Sequence, residues 1–169
     1  MDLQTSLDDL VTRLRGLADK VNDLRLTAVE DRPAHADQLI LDTVSNAVED
    51  LTGWVFEALS EASAAKAALA LRQDTGVALR KLGSCHERVN RLSATVLTGL
   101  ISYDTHAELS RLARERSHDW PGWLAMLRLG VESCNSPLAG VHTALLVCWQ
   151  QAAGLCATTS AISGGISDD

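Results

Sequence analysis

The sequence predicts an all-α protein: a helical bundle with long antiparallel, coiled-coil-like helices in its N-terminal half and shorter helices in its C-terminal half. Three observations carry this expectation. Apolar residues recur in alternating steps of four and three over most of the chain. Only three prolines interrupt 169 residues. Aromatic residues make up 4% of the chain, too few for the aromatic clusters that favour strands. With 46% hydrophobic and 22% charged residues, the composition is that of a folded globular chain. Its length allows a core without disulfides or metals.

The first helix, within residues 1–32, shows the clearest pattern. Leu3, Leu7, Leu10, Leu14, Leu17, Val21, Leu24 and Ala28 form a heptad seam flanked by Asp8, Asp9, Arg13, Arg15, Asp19 and Lys20. Such a seam must be covered, by the same chain or by a second copy. Leu3, Leu7, Leu10, Leu14, Leu17, Val21 and Leu24 are therefore candidate interaction residues. Pro33 ends this helix, since it cannot continue the hydrogen-bond ladder and restricts the residue before it.

Residues 33–157 read as the bundle proper. A second helix over about 37–72 carries a seam of Ile40, Val44, Ala47, Leu51, Trp54, Ala58 and Glu61 or Ala62. Its alanine-rich second half favours close helix–helix approach. Asp74-Thr75-Gly76 marks an interruption, the alternative being one helix running through 72–77. The third helix, about 77–102, centres its apolar arc on Leu82, Val89, Val96 and Leu100. Cys85 and Leu92 lie on one shoulder of that arc, and Leu79, His86 and Leu97 on the other.

Asp104 is placed to cap a fourth helix over 105–116, which would bury Leu109 and Leu112. Asp119 before Pro121 opens a fifth, 120–134, with Trp120, Trp123, Leu124, Leu127, Val131 and Cys134 on one side. Asn135-Ser136-Pro137 repeats that signal and starts a sixth, 137–156, lining up Leu138, Val141, Leu145, Cys148, Trp149, Ala152 and Leu155. Residues 158–169, small and polar, read as a flexible tail.

A net charge of −7 lacks the basic footprint of non-specific nucleic-acid binding. The four cysteines form no CxxC pair and no zinc spacing with histidine. Met1-Asp2-Leu3-Gln4 does not resemble a secretory leader, and the strongly apolar runs fall short of the roughly 20 residues that span a bilayer. The expectation is a cytoplasmic chain with reduced thiols, no cofactor, no nucleic-acid partner and no membrane contact.

Ser84-Cys85-His86-Glu87-Arg88-Val89-Asn90-Arg91-Leu92 resembles the phosphoacceptor segment of histidine-kinase dimerisation helices, Ser-His-Glu-Leu-Arg-x-Pro-Leu, at His86, Glu87 and Leu92. Arg91 stands at the family's proline, Arg88-Val89 replaces its Leu-Arg pair, and no ATP-binding domain follows. The resemblance implies a helical phosphotransfer module, with His86 accepting phosphate beside Glu87 as acid or base. Glu115 and His118 supply one Glu-x-x-His spacing. A di-iron bundle needs two such pairs with further carboxylates, for which Glu49, Asp50, Glu57 and Glu61 are the candidates. Haem ligation would fall to His86, His106 or His142.

Cys85 and His86, as helix neighbours, point about 100° apart and make no nucleophile–base pair. With no catalytic constellation legible, the sequence favours a non-catalytic scaffold or adaptor. It would act through self-association or helix-mediated protein–protein interaction, with a homo-oligomer or a helical protein as partner. Trp120, at the corner before Pro121, joins the first-helix seam as an interaction candidate. The alternatives are the His86 phosphotransfer module and a metal- or haem-binding bundle.

Overall fold

The computed structural model describes residues 1–32, 38–72, 74–98, 111 and 120–164. Among them are five helices: α1 (Leu3–Glu30), α2 (Gln38–Arg72), α3 (Thr75–Thr98), α4 (Trp120–Glu132) and α5 (Asn135–Gly164). The all-α expectation holds. Apart from Arg111, the helix expected at 105–116 lies outside the described residues, as do the side chains of Ile40, Leu97 and Trp120.

Cross-helix contacts set the topology. Lys66 reaches Asp8 between α2 and α1, and Lys81 and Arg88 reach Glu61 and Glu57 between α3 and α2. Trp123 meets Thr27, and Gln151 meets the carbonyl of Met1. In each pair of helices one residue number rises as the other falls, so neighbours are antiparallel. The result is an up-down-up-down bundle in which α1, α2, α3 and α5 form a closed ring and α4 continues α5 along α1. The three inter-helix ion pairs sit at the surface, where each is worth roughly 0–1 kcal/mol. They align the helices more than they stabilise them.

The core is built from heptads. Leu3 to Ala28 is buried as the spacing predicts. Helix α2 buries Val44, Val48, Leu51, Val55, Ala58, Ala62 and Ala65. Val48, Val55 and Ala65 take places that the sequence reading gave in part to Ala47 and Trp54, which flank the seam half-buried. Two stripes one residue apart have the same period, and only the neighbouring helices choose between them. Helix α3 buries Ala78, Leu82, Cys85, Val89, Leu92 and Val96, which moves Cys85 and Leu92 from a shoulder to the centre.

One seam crosses both C-terminal helices: Leu124, Leu127, Val131, Cys134, Leu138, Val141, Leu145, Cys148 and Ala152. It survives the joint at Ser133–Cys134. Pro137 has no N–H for the Ser133 carbonyl, so the ladder loosens there. Cys134 N donates instead to the carbonyl of Val131 at 3.0 Å, and Ser133 Oγ to that of Gly130 at 2.6 Å.

Capping fixes two other boundaries. Asp2 accepts from Thr5 N at 2.8 Å, a contact that holds its carboxyl below the usual carboxylate range. Asp74 accepts from Val77 N at 2.9 Å, so the interruption at 72–77 is real and Asp74 is the cap of α3. The tail expected from 158 is helical through Gly164, because helix α5 continues past its last buried residue, Ala152, as an exposed arm.

Close approach explains one helical glycine and leaves another dispensable. A methyl group at Gly130 would lie 2.8 Å from Cδ1 of the buried Leu24, whereas one at Gly16 would meet nothing within 4 Å. Overpacking a core costs about 1–3 kcal/mol, and glycine costs a helix up to about 1 kcal/mol against alanine. Gly130→Ala is therefore expected to lower stability in urea denaturation by about 1–2 kcal/mol net, and Gly16→Ala to raise it by up to about 1 kcal/mol.

Candidate functional site

The first-helix seam is not available to a partner. Leu7, Leu10, Leu14, Leu17 and Val21 are fully buried, and Leu3 and Leu24 nearly so, against α2 and the α4–α5 seam of the same chain. Of the two ways of covering these seven residues that the seam allows, the structure has the one within the same chain. One chain supplies all the helices that cover them.

Exposed apolar side chains gather instead on the last two helices. Met126 and Leu129 on α4, and Leu146, Trp149, Leu155 and Ile162 on α5, are between 38% and 65% exposed. Trp149 and Leu155 were expected in the core; the seam turns inward at Cys148 and Ala152 and leaves both outside. Between Glu132 and Asp168 the sequence holds no Asp, Glu, Lys or Arg. The outward ridge of α5, with Ala139, Thr143, Leu146, Gln150 and Ala157, is thus uncharged as well as exposed.

By length and composition alone, Gly122–Ser163 is long and apolar enough to cross a membrane, and little of its most apolar window is buried. The individual apolar runs did not suggest this. The same stretch supplies the wall of the core against α1 and α3 and carries Asn135, His142, Gln150 and Gln151.

A groove flanks this ridge on each side. Toward α3, a cavity of about 470 Å³ is lined by His86, His142, Thr143, Leu145, Leu146 and Trp149. The Trp149 ring that lines it packs closely on Gly83, where a Cβ would stand 3.3 Å from Cζ3 of Trp149. Toward α1, a second cavity of about 340 Å³ lies among Met1, Asp9, Arg13, Gly140, Thr143 and Val147. The Arg13–Asp9 ion pair, at 2.8 Å, forms its rim.

His86 is exposed on α3. Its Nδ1 lies 3.3 Å from Asn90 Nδ2, and its ring centroid lies 6.3 Å from that of Trp149. The structure therefore brings His86 and His142 to one groove, while His106, Glu115 and His118 lie outside the described residues. Glu57 and Glu61 are engaged by Arg88 and Lys81. Among the described residues no three His, Cys, Asp or Glu side chains cluster as metal ligands would.

One contact was invisible in the sequence. Ser93 Oγ lies 2.5 Å from His142 Nε2, across 49 residues. A serine hydroxyl on imidazole is the first half of a nucleophile–base arrangement. Here Ser93 Oγ also lies 2.9 Å from the Val89 carbonyl, to which it donates. Both residues sit within continuous helices, whose N–H groups are spent on the ladder and form no oxyanion hole. The pair joins α3 to α5 and is not assembled for acyl transfer.

The buried titratable groups give a pH dependence. Burial, then the neighbouring Cys148 and Glu61, push the Cys85 thiol up to about 12. Burial and then Asp9 push that of Cys148 up to about 11, from an ordinary 9.0. The folded chain keeps these protons where the unfolded chain has lost them. Stability is expected to be intact below about pH 9 and to fall between about 9 and 11, by up to about 1.4 kcal/mol per pH unit per thiol. His142 is shifted the other way, its pKa lowered by burial and then by His86. Its contribution is present above the ordinary 6.5 and is lost as the pH falls through its depressed value. Denaturant midpoints across pH check both limbs, and Cys85→Ala is expected to flatten the alkaline one.

Thiol reactivity provides a separate check. The thiolate is the reacting form, so buried Cys85, Cys134 and Cys148 should resist a disulfide reagent in the native state. Half-buried Cys156, on the exposed arm of α5, should react first, with all four reacting in denaturant.

Compared with protein-family profiles, curated proteins and solved structures, the chain matches none.

Proposed function

We propose that the chain is a non-catalytic helical interaction module whose working surface is the outer face of α5. The observation that carries this reading is an exposed helix ridge without a charged side chain, set between two grooves. A solvated helix of this length ordinarily places charge on its outer face, as the exposed Asp8, Arg15, Asp19 and Lys20 do on α1. An uncharged ridge with a trough on each side is the shape into which the side chains of another helix interdigitate. The contact would centre on Leu146 and Trp149, with Arg13–Asp9 and His86 at its rim.

The test is photochemical. Leu146→p-benzoylphenylalanine is expected to give a covalent protein adduct in cells, while Phe56→p-benzoylphenylalanine, on exposed α2, gives none. Absence of any adduct at position 146 would remove the reading.

A second reading rests on the exposure of His86 on the outer face of a helical bundle. An exposed imidazole is accessible to a phosphoryl donor, and the neighbouring Glu87 is exposed too. Its test is an acid-labile phosphate that disappears in His86→Gln.

A further inference from the structure

We infer that the helix docking on the α5 ridge is α5 of a second copy, giving a two-fold dimer through Thr143, Leu146, Gln150 and Ala157. This rests on the docking reading above and commits it to one occupant. Charge is the argument. A partner that covers an uncharged strip between charged flanks loses least if its own contact strip is also uncharged, because a charge laid there would be desolvated without a counter-ion. The chain's own α5 meets that requirement along its whole length, with no Asp, Glu, Lys or Arg between Glu132 and Asp168.

Two-fold packing brings the same patch of each copy together, so one neutral ridge satisfies both sides. The small side chains of Ala139, Thr143 and Ala157 permit close helix approach. The two grooves receive the larger Leu146 and Trp149 of the facing copy. Net charge is no obstacle, because the acidic side chains lie on the other helices and stay solvated beyond the strip.

A bilayer fits the same surface less well. Immersing the α5 ridge would carry the Arg13–Asp9 pair and His86 in with it, since both line the grooves beside it. A second helix covers the ridge and reaches into the grooves from above, leaving the Arg13–Asp9 pair and His86 at a solvated rim.

Sedimentation velocity on the purified full chain, over a wide concentration range, tests the inference. Wild type is expected at twice its 18.1 kDa mass, dissociating on dilution. Leu146→Glu and, at an exposed position, Ala157→Arg are each expected to weaken association by about 100-fold or more, since each lays an unpaired charge in the neutral contact. Far-UV circular dichroism and melting of both variants should match a monomeric wild-type sample. Phe56→Glu, on α2 diagonally across the bundle, should remain dimeric.

A wild-type chain that stays monomeric at the highest concentration overturns the inference. So does a dimer indifferent to both α5 charges, or one that Phe56→Glu dissociates equally. A monomer that co-sediments with phosphatidylcholine vesicles also overturns it and assigns the ridge to a membrane surface. If wild type is monomeric while position 146 still crosslinks to a different protein, only the second-copy assignment fails. If no crosslink forms either, the docking reading fails with it.

Discussion

Leu10→Asp is expected to unfold the chain outright, not to dissociate an assembly. Leu10 is fully buried at the middle of the α1 seam. Removing a buried leucine side chain alone costs about 2–5 kcal/mol. An unpaired carboxylate in the same place must either stay charged without water or take up a proton, adding several kcal/mol in either case. Together these approach the roughly 5–15 kcal/mol of a whole domain. Far-UV circular dichroism should show loss of helix, and urea should give no cooperative transition. Leu10→Ala, which leaves a cavity and no charge, should still fold with a lowered urea midpoint. A Leu10→Asp chain that unfolds cooperatively like wild type would show that α1 does not wall the core. The contrast with Leu146→Glu is diagnostic: both put a carboxylate in place of a helix leucine, but Leu10 lies in a seam closed by the chain itself and Leu146 on an exposed ridge.

Trp123→Ala is expected to be the next most damaging change, at about 3–5 kcal/mol. Trp123 is buried where α4 lies on the end of α1, and its indole Nε1 donates to the Thr27 carbonyl at 3.2 Å. That carbonyl belongs to the last turn of α1, where the helix ladder leaves acceptors short of partners, and it also receives Asp31 N at 3.3 Å. The indole thus fills space and satisfies a helix terminus together. Trp123→Phe keeps most of the volume and loses the donor, so it should cost less, by roughly the worth of one hydrogen bond, about 0.5–1.5 kcal/mol, plus a small packing term. Hydrogen exchange should locate the effect. Amides of α4 are expected to lose protection first, with those of α1 and α5 around Leu14 and Leu145 following only at global unfolding. Equal loss in all helices at the native midpoint would mean that α4 is not a separable layer.

The groove residues show where sequence reasoning stops. The sequence places Cys85 and His86 on opposite shoulders of the apolar arc, and of the two Cys85 is buried while it is His86 that is exposed. Its neighbours Trp149 and His142 come from α5, some 60 residues on, and no spacing within α3 could name them. The Ser93–His142 contact is hidden for the same reason. The uncharged run after Glu132 was in plain view. Attention to apolar periodicity passes over it, because a missing charge leaves no mark on a hydrophobic stripe.

The sequence by itself determined the described helices, their order, the interruption at 72–77, and the heptad periods that make a bundle the packed solution. These follow from local forces: helix propensity, proline and capping chemistry, and the 3.6-residue repeat that gathers leucines to one side. Only the tertiary structure decided which stripe faces inward where two share a period, as on α2. It also decided that α1 is covered within the chain, and that α5 is the face left open. The physical reason is that a heptad states the need for a partner without naming it. Which helix meets that need depends on antiparallel register across the whole chain, and that register places α1 inside, Cys85 in the core and Trp149 at the surface.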